Sequence, residues 1–177
     1  YEIWVGKLGD VVEFIPLPDL TLKLRMIKNP EELACIKEAG KIADAAFLEI
    51  LPLLRPGIQE REVAVELEYA MRKKGAQALA FETIIAAGPR SSLPHGTATE
   101  RQFQNGDLVM VDFGAVWKGY CSDCTRTVSI GPATPKQKEI YAVVQRAQEA
   151  ALQILRPGVV AADVDKAARE VISSSGY

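Results

Sequence analysis

Val111-Asp112-Phe113-Gly114-Ala115-Val116-Trp117-Lys118-Gly119-Tyr120-Cys121-Ser122-Asp123-Cys124-Thr125-Arg126-Thr127 is the stretch on which the fold turns. Residues 107–116 and 120–130 read as two strands joined by a tight turn. A two-residue loop at Trp117-Lys118 pairs residue 116 with 119 and, counted outward, Asp112 with Asp123. Directly opposed residues of an antiparallel pair share a face, with Cβ atoms roughly 4.5–5.5 Å apart. Two carboxylates that close repel each other, and one divalent cation or a pair of them relieves the repulsion. Asp112 ends the apolar run Leu108 to Val111, which places a charge at the end of a core element. Thr125 and Thr127 share a strand face with Asp123 by the period of two and are candidates to hold the carboxylate oxygens. Two alternatives stay open: a bulge at Gly119 that shifts the register by one, and a pair of ordinary hairpin-end carboxylates.

Outward from the hairpin, Asn29-Pro30-Glu31-Glu32 is a helix start, with a capping residue, proline at the first position and Glu32 three residues after the cap. That helix runs to about Leu54, where Arg55-Pro56-Gly57 breaks it. A second helix spans about 59–74, with Gly75 as its C′ residue. Residues 81–87 suit a strand, and 88–97 form a Pro- and Ser-rich loop carrying His95. Thr134-Pro135 opens a further helix to Leu155, and a last one fills about 161–174. Residues 1–24 read as a short strand-rich piece, with Ile3-Trp4-Val5 and Val11 to Ile15, followed by a proline-punctuated loop.

An internal repeat organises this order. Leu54-Arg55-Pro56-Gly57-Ile58 recurs as Leu155-Arg156-Pro157-Gly158-Val159, an offset of 101 residues (54 to 155). At the same offset Glu62 meets Asp163, Val63 meets Val164, Met71 meets Ile172 and Gly75 meets Gly176. Arg-Pro-Gly is also a common helix breaker, but matched apolar and acidic positions over some twenty residues favour a duplicated αβ unit.

The 177 residues are 48% hydrophobic and 25% charged with a formal charge of −2, the balance of a soluble globular protein. Nothing in that balance calls for nucleic acid or an anionic membrane as partner. No apolar run reaches the roughly 20 residues of a membrane span, and no signal peptide is visible. The chain begins at Tyr1 rather than Met, which reads as processed or excised. Three cysteines do not make a disulfide framework, which suits a reducing compartment and a cytoplasmic location. Cys121 and Cys124 form a C-x-x-C in mid-strand, on opposite faces and with no second pair, so these and Cys35 read as structural. His95, the single histidine, lies in Ser91-Ser92-Leu93-Pro94-His95-Gly96, a loop after a strand end. It is either a solvated side chain or a group that contacts a substrate amide or carbonyl. Phosphate-binding glycine motifs and a G-x-S-x-G elbow are absent.

Leu24 to Glu32, Leu93-Pro94-His95-Gly96 and the Asp112/Asp123 hairpin together make the chain resemble the pita-bread metallopeptidases, within them the Xaa-Pro aminopeptidase and Xaa-Pro dipeptidase group. The resemblance implies an α+β pita-bread fold, of which residues 25–177 are the first αβ half plus the helices of the second. It makes residues 1–24 the tail of a preceding N-terminal domain. It implies Asp112 and Asp123 as metal ligands, Asp123 bridging two divalent ions, manganese or cobalt, and His95 as the histidine near the scissile bond. The family's other ligands, a histidine and two glutamates, have no counterpart among the residues here. The implied activity is removal of an N-terminal residue that precedes proline, by attack of a metal-bridging hydroxide, with the chain inactive alone. The implied partner is a peptide with proline second, and a homodimer is compatible with it. Two other readings on this fold are a metal-free peptide-binding module and a creatinase-like C–N hydrolase.

Overall fold

The computed structural model describes residues 2–15 and 19–177. Helix α3 (Pro30–Ile50) starts where its sequence dictates. Asn29 Oδ1 accepts the Glu32 N–H at 2.9 Å, and the Asn29 N–H donates to Glu32 Oε2 at 2.7 Å. Ala39, Ile42, Ala43, Ala46, Phe47 and Ile50 are buried, a spacing that draws one stripe along the helix. A 3-10 turn at Leu51–Leu53 and Arg55-Pro56-Gly57 send the chain back as α4 (Glu60–Lys73), which buries Val63, Ala64, Leu67, Ala70 and Met71.

These two helices cover antiparallel strands in two small sheets. One has the order β1 (Ala78–Leu79), β4 (Ala115–Trp117), β5 (Tyr120–Cys121). The other has the order β2 (Ile84–Ala87), β3 (Leu108–Phe113), β6 (Cys124–Ser129). Helix α4 packs on β2, and α3 on β4 and β5. Along β3, Val109, Val111 and Phe113 face this core, and the Phe113 ring stacks on Phe47 of α3 with centroids 5.5 Å apart. Leu108, Met110 and Asp112 take the other face, so the expected apolar run is an alternating strand with one side in the core.

The repeat is visible in three dimensions. Helix α5 (Pro135–Ile154) is capped by Thr134 and Gln137 and packs on α6 (Ala161–Ser174). Helices α4 and α6 start and end 101 residues apart (60 to 161, 73 to 174). Both close with the same two hydrogen bonds: Gly75 N–H to Arg72 O and Ala76 N–H to Met71 O, then Gly176 N–H to Ser173 O and Tyr177 N–H to Ile172 O. Gly75 and Gly176 hold φ of 104° and 84°.

The N-terminal expectation is corrected. Residues Glu2–Leu8 form a helix, α1, in place of the expected strand, no strand forms over Val11 to Ile15, and Leu20–Met26 form a second helix, α2, where a loop was expected. Among the described residues no strand pairs with either segment, and Glu2 and Lys7 sit at the ends of α1 that suit the helix dipole. Neither helix buries a residue. The expected loop at Pro16 to Pro18 lies outside the described residues.

Asp107, just before β3, anchors the return from the His95 loop. Arg101 grips it with two hydrogen bonds of 2.7 and 3.0 Å, and the Gln104 N–H adds a third at 2.9 Å. Burial pushes the Asp107 carboxyl up, but the bonds from Arg101 and Gln104 outweigh it and hold it below the ordinary range. A depressed carboxyl stabilises the fold fully above its unfolded pKa, and that contribution is lost as pH falls through the lower folded value. Asp107→Asn should therefore cost about 1.5–3 kcal/mol near neutral pH. The difference in melting temperature from wild type should narrow below about pH 4. A gap that stays constant in a melting series from neutral to acid pH argues against this assignment.

Candidate active site

Gly114 interrupts the hairpin between β3 and β4, and Ser122-Asp123 interrupts it between β5 and β6. A Cβ at Gly114 would lie 2.1 Å from the Ser122 carbonyl oxygen, so only glycine allows the two chains to pass this closely. Ser122 is buried; its Oγ accepts the Ala115 N–H at 3.0 Å and donates to the Ala39 carbonyl of α3 at 3.1 Å.

The register differs from the sequence reading. Trp117 pairs with Tyr120, so the turn is Lys118-Gly119, with φ of 49° and 81°, the left-handed pair that a tight hairpin turn prefers. The turn sits one residue later than expected, so every partner moves by two. Asp112 stands opposite Thr125, not Asp123. An even shift leaves each side chain on its own face. Asp123 therefore stays near Asp112, reached diagonally past Gly114. Thr125 Oγ1 donates to Asp112 Oδ1 at 2.9 Å. Thr127 lies opposite Met110, and its hydroxyl holds neither carboxylate among the described residues.

The histidine arrives from the other side. Strand β2 ends at Ala87, a 3-10 turn runs over Gly88–Ser92, and the Gly96 N–H closes a turn onto the Leu93 carbonyl at 3.1 Å. Pro94 and His95 are its two central residues, with proline at the position its fixed φ suits. His95, Asp112 and Asp123 line one cavity of about 460 Å³ with Phe81, Glu82, Ile84 and Thr97. The lining by Phe81, Glu82, Ile84 and Thr97 escaped the sequence reading. Strand β2 is apolar and buried throughout, so no alternation in the sequence marks Ile84, which the fold pairs with Asp112.

A larger hollow of about 900 Å³ between α2, the start of α3 and the β4–β5 turn has a different character. Its lone carboxylate, Glu32, is engaged by the Asn29 N–H and by the Tyr120 hydroxyl, which donates at 3.0 Å. The bond from Asn29, then that from Tyr120, holds Glu32 below the ordinary carboxylate range. Chemistry points to the smaller cavity, which Asp112, Asp123, Glu82 and the His95 imidazole all line.

Two carboxylates fit a hard divalent cation, which takes oxygen donors. Among the described residues no cluster of three or more His, Cys, Asp or Glu side chains could hold a metal, so Asp112 and Asp123 fit as part of a ligand set. No helix among these residues is long and apolar enough to cross a membrane.

Residues 34–177 match metallopeptidase family M24, and the chain belongs to that family. An uncharacterized peptidase of Bacillus subtilis, YqhT, is 47% identical over 177 residues, which are 100% of this chain and 50% of that protein. An Xaa-Pro dipeptidase of Pyrococcus furiosus is 44% identical over 169 residues, 96% of this chain and 49% of that one. The solved Xaa-Pro dipeptidase from Bacillus anthracis superposes with a TM-score of 0.94 at 45% identity, covering 100% of this chain and 50% of its own. The architecture is the pita-bread fold of these peptidases, and the chain spans about half the length of the curated relatives it matches.

Gly114→Ala puts a methyl group against the Ser122 carbonyl, Ala80 and Phe81. It should destabilise the chain by about 1–3 kcal/mol, with the largest amide shifts at Asp112, Ser122 and Asp123. A variant that melts with wild type and leaves those amides unmoved would contradict the close approach.

Proposed function

We propose that this chain carries part of the active site of a dinuclear metallopeptidase that removes an N-terminal residue preceding proline. The observation that carries the reading is the convergence of Asp112, Asp123 and His95 on one cavity. Asp112 and Asp123 would hold the divalent ions, manganese or cobalt. Such ions supply Lewis-acid polarisation of a carbonyl and activation of water near neutral pH when bound.

The chain's own residues do the rest. Thr125 fixes Asp112 through Oδ1, which orients the carboxylate and leaves Oδ2 available to an ion. His95, exposed on its turn, reaches over the cavity to hydrogen-bond the substrate amide beside the scissile bond. Phe81 and Ile84 give the cavity an apolar wall suited to a pyrrolidine ring. The names of the relatives, Xaa-Pro dipeptidase and X-Pro aminopeptidase, support a peptide substrate over creatine. The paired carboxylates support catalysis over a metal-free binding module.

Two carboxylates are fewer donors than a hard dication takes, so this chain alone binds metal weakly and does not turn over Ala-Pro substrates. Robust manganese-dependent cleavage by the pure chain would show the ligand set to be complete. The binding test uses the single histidine. Added Mn²⁺ should broaden the imidazole resonances of His95 and the amides of Asp112 and Asp123. Asp112→Asn and Asp123→Asn should each abolish the effect. Thr125→Val should retain it with about tenfold weaker apparent affinity. Broadening centred elsewhere, or unaltered in Asp112→Asn, sinks the assignment.

A further inference from the structure

Glu60 is a buried charge that the proposed chemistry does not use. It is the first residue of α4, where glutamate commonly sits in solvent and favours the helix dipole, yet it is 0% exposed. Its carboxylate takes four hydrogen bonds. Oε1 accepts the Ala87 N–H at 2.9 Å. Oε2 accepts the Thr99 N–H at 3.0 Å, the Thr99 hydroxyl at 2.7 Å and Arg90 Nη1, its ion-pair partner. Arg90 extends the grip, its Nη2 donating to the Thr97 carbonyl at 2.8 Å.

Every one of these contacts lands on a single segment. Ala87 is the last residue of β2, Arg90 belongs to the 3-10 turn, and Thr97 and Thr99 follow the histidine turn. Between the clamped points lies the turn of residues 93–96 that carries His95. Thr97, whose carbonyl Arg90 holds, lines the cavity beside His95, whereas Glu60 does not. Gly96 is buried on Ala86, so the turn is also seated against β2. A buried ion pair is weak evidence for stability, because well-packed apolar residues often replace it without loss. A fully satisfied buried network instead selects one geometry.

We propose that Glu60, acting through Arg90 and Thr99, is the positioning residue that holds His95 at the wall of the Asp112/Asp123 cavity. This rests on the reading of that cavity as the active site, and the test separates the two. Imidazole and amide resonances of the 177-residue chain are followed as Mn²⁺ is added. Absence of His95 broadening in wild type overturns the active-site reading itself.

With wild type broadened, Glu60→Gln keeps the side-chain volume and removes the charge that holds Arg90. His95 should then lose most of its broadening, while Asp112 and Asp123 keep theirs at unchanged Mn²⁺ affinity. Arg90→Gln is the second variant. It leaves Glu60 three donors and releases the Thr97 carbonyl, so it reports even where Glu60→Gln fails to fold. It should give the same selective loss, and Glu60→Asp should restore part of it. Wild-type broadening of His95 in either folded variant overturns the positioning role. So does a loss shared equally by His95, Asp112 and Asp123, the signature of a merely structural contact.

Discussion

The close passage of two chains at Gly114 governs the rest of the molecule. The Ser122 carbonyl occupies the space where any other residue's Cβ would sit, and the Ser122 hydroxyl binds both the neighbouring strand and the Ala39 carbonyl of α3. The hairpin is thereby kinked and welded to the helix layer at one point. On one side of the weld, β3 and β6 carry Asp112 and Thr125; on the other, β4 and β5 carry the turn. Asp123 belongs to the kink itself. Both carboxylates line the same cavity.

The helix layer supports this arrangement from below. The Phe47–Phe113 stack joins α3 to the residue next to Asp112, and both strand neighbours of Phe113 in the core, Val109 and Val111, are fully buried. Such packing leaves little freedom for β3 to slide or rotate. The His95 loop is held differently, through polar groups at its two ends rather than an apolar core. A loop whose imidazole is exposed does not bury itself, so its bracing lies in buried hydrogen bonds at its base.

Helices α4 and α6 make the duplication concrete. The same spacing, the same glycine and the same terminal hydrogen bonds recur 101 residues apart (60 to 161). Their surroundings differ. Val63, Leu67 and Met71 are sealed between α4 and the sheet, whereas Val164, Ala168 and Ile172 at the matching places are only half-buried with α5 as neighbour. One local sequence pattern therefore makes the helix in both copies, and the packing layer decides how much of its apolar stripe leaves water.

Local chemistry was legible in the sequence because it acts over a few residues. Asn29 with Glu32 and Thr134 with Gln137 cap their helices by bonds three residues apart, and Arg-Pro-Gly ends two helices. The repeat was readable for the same reason. Other features needed the tertiary structure. Which residues turn at Lys118-Gly119 depends on how two strands settle on α3, so Asp112 faces Thr125 and the diagonal approach of Asp123 follows. Residues 2–8 are helical although Ile3 and Val5 favour a strand, and among the described residues no strand pairs with them. Glu60 reads as an ordinary helix-start acid, and only the fold brings Ala87, Arg90 and Thr99 around it. Sequence determined the elements, their caps and the residue types of the site, since those rest on short-range hydrogen bonds and periodicity. Tertiary structure decided register, burial and which distant carboxylates share a cavity, since those depend on contacts between segments far apart in the chain.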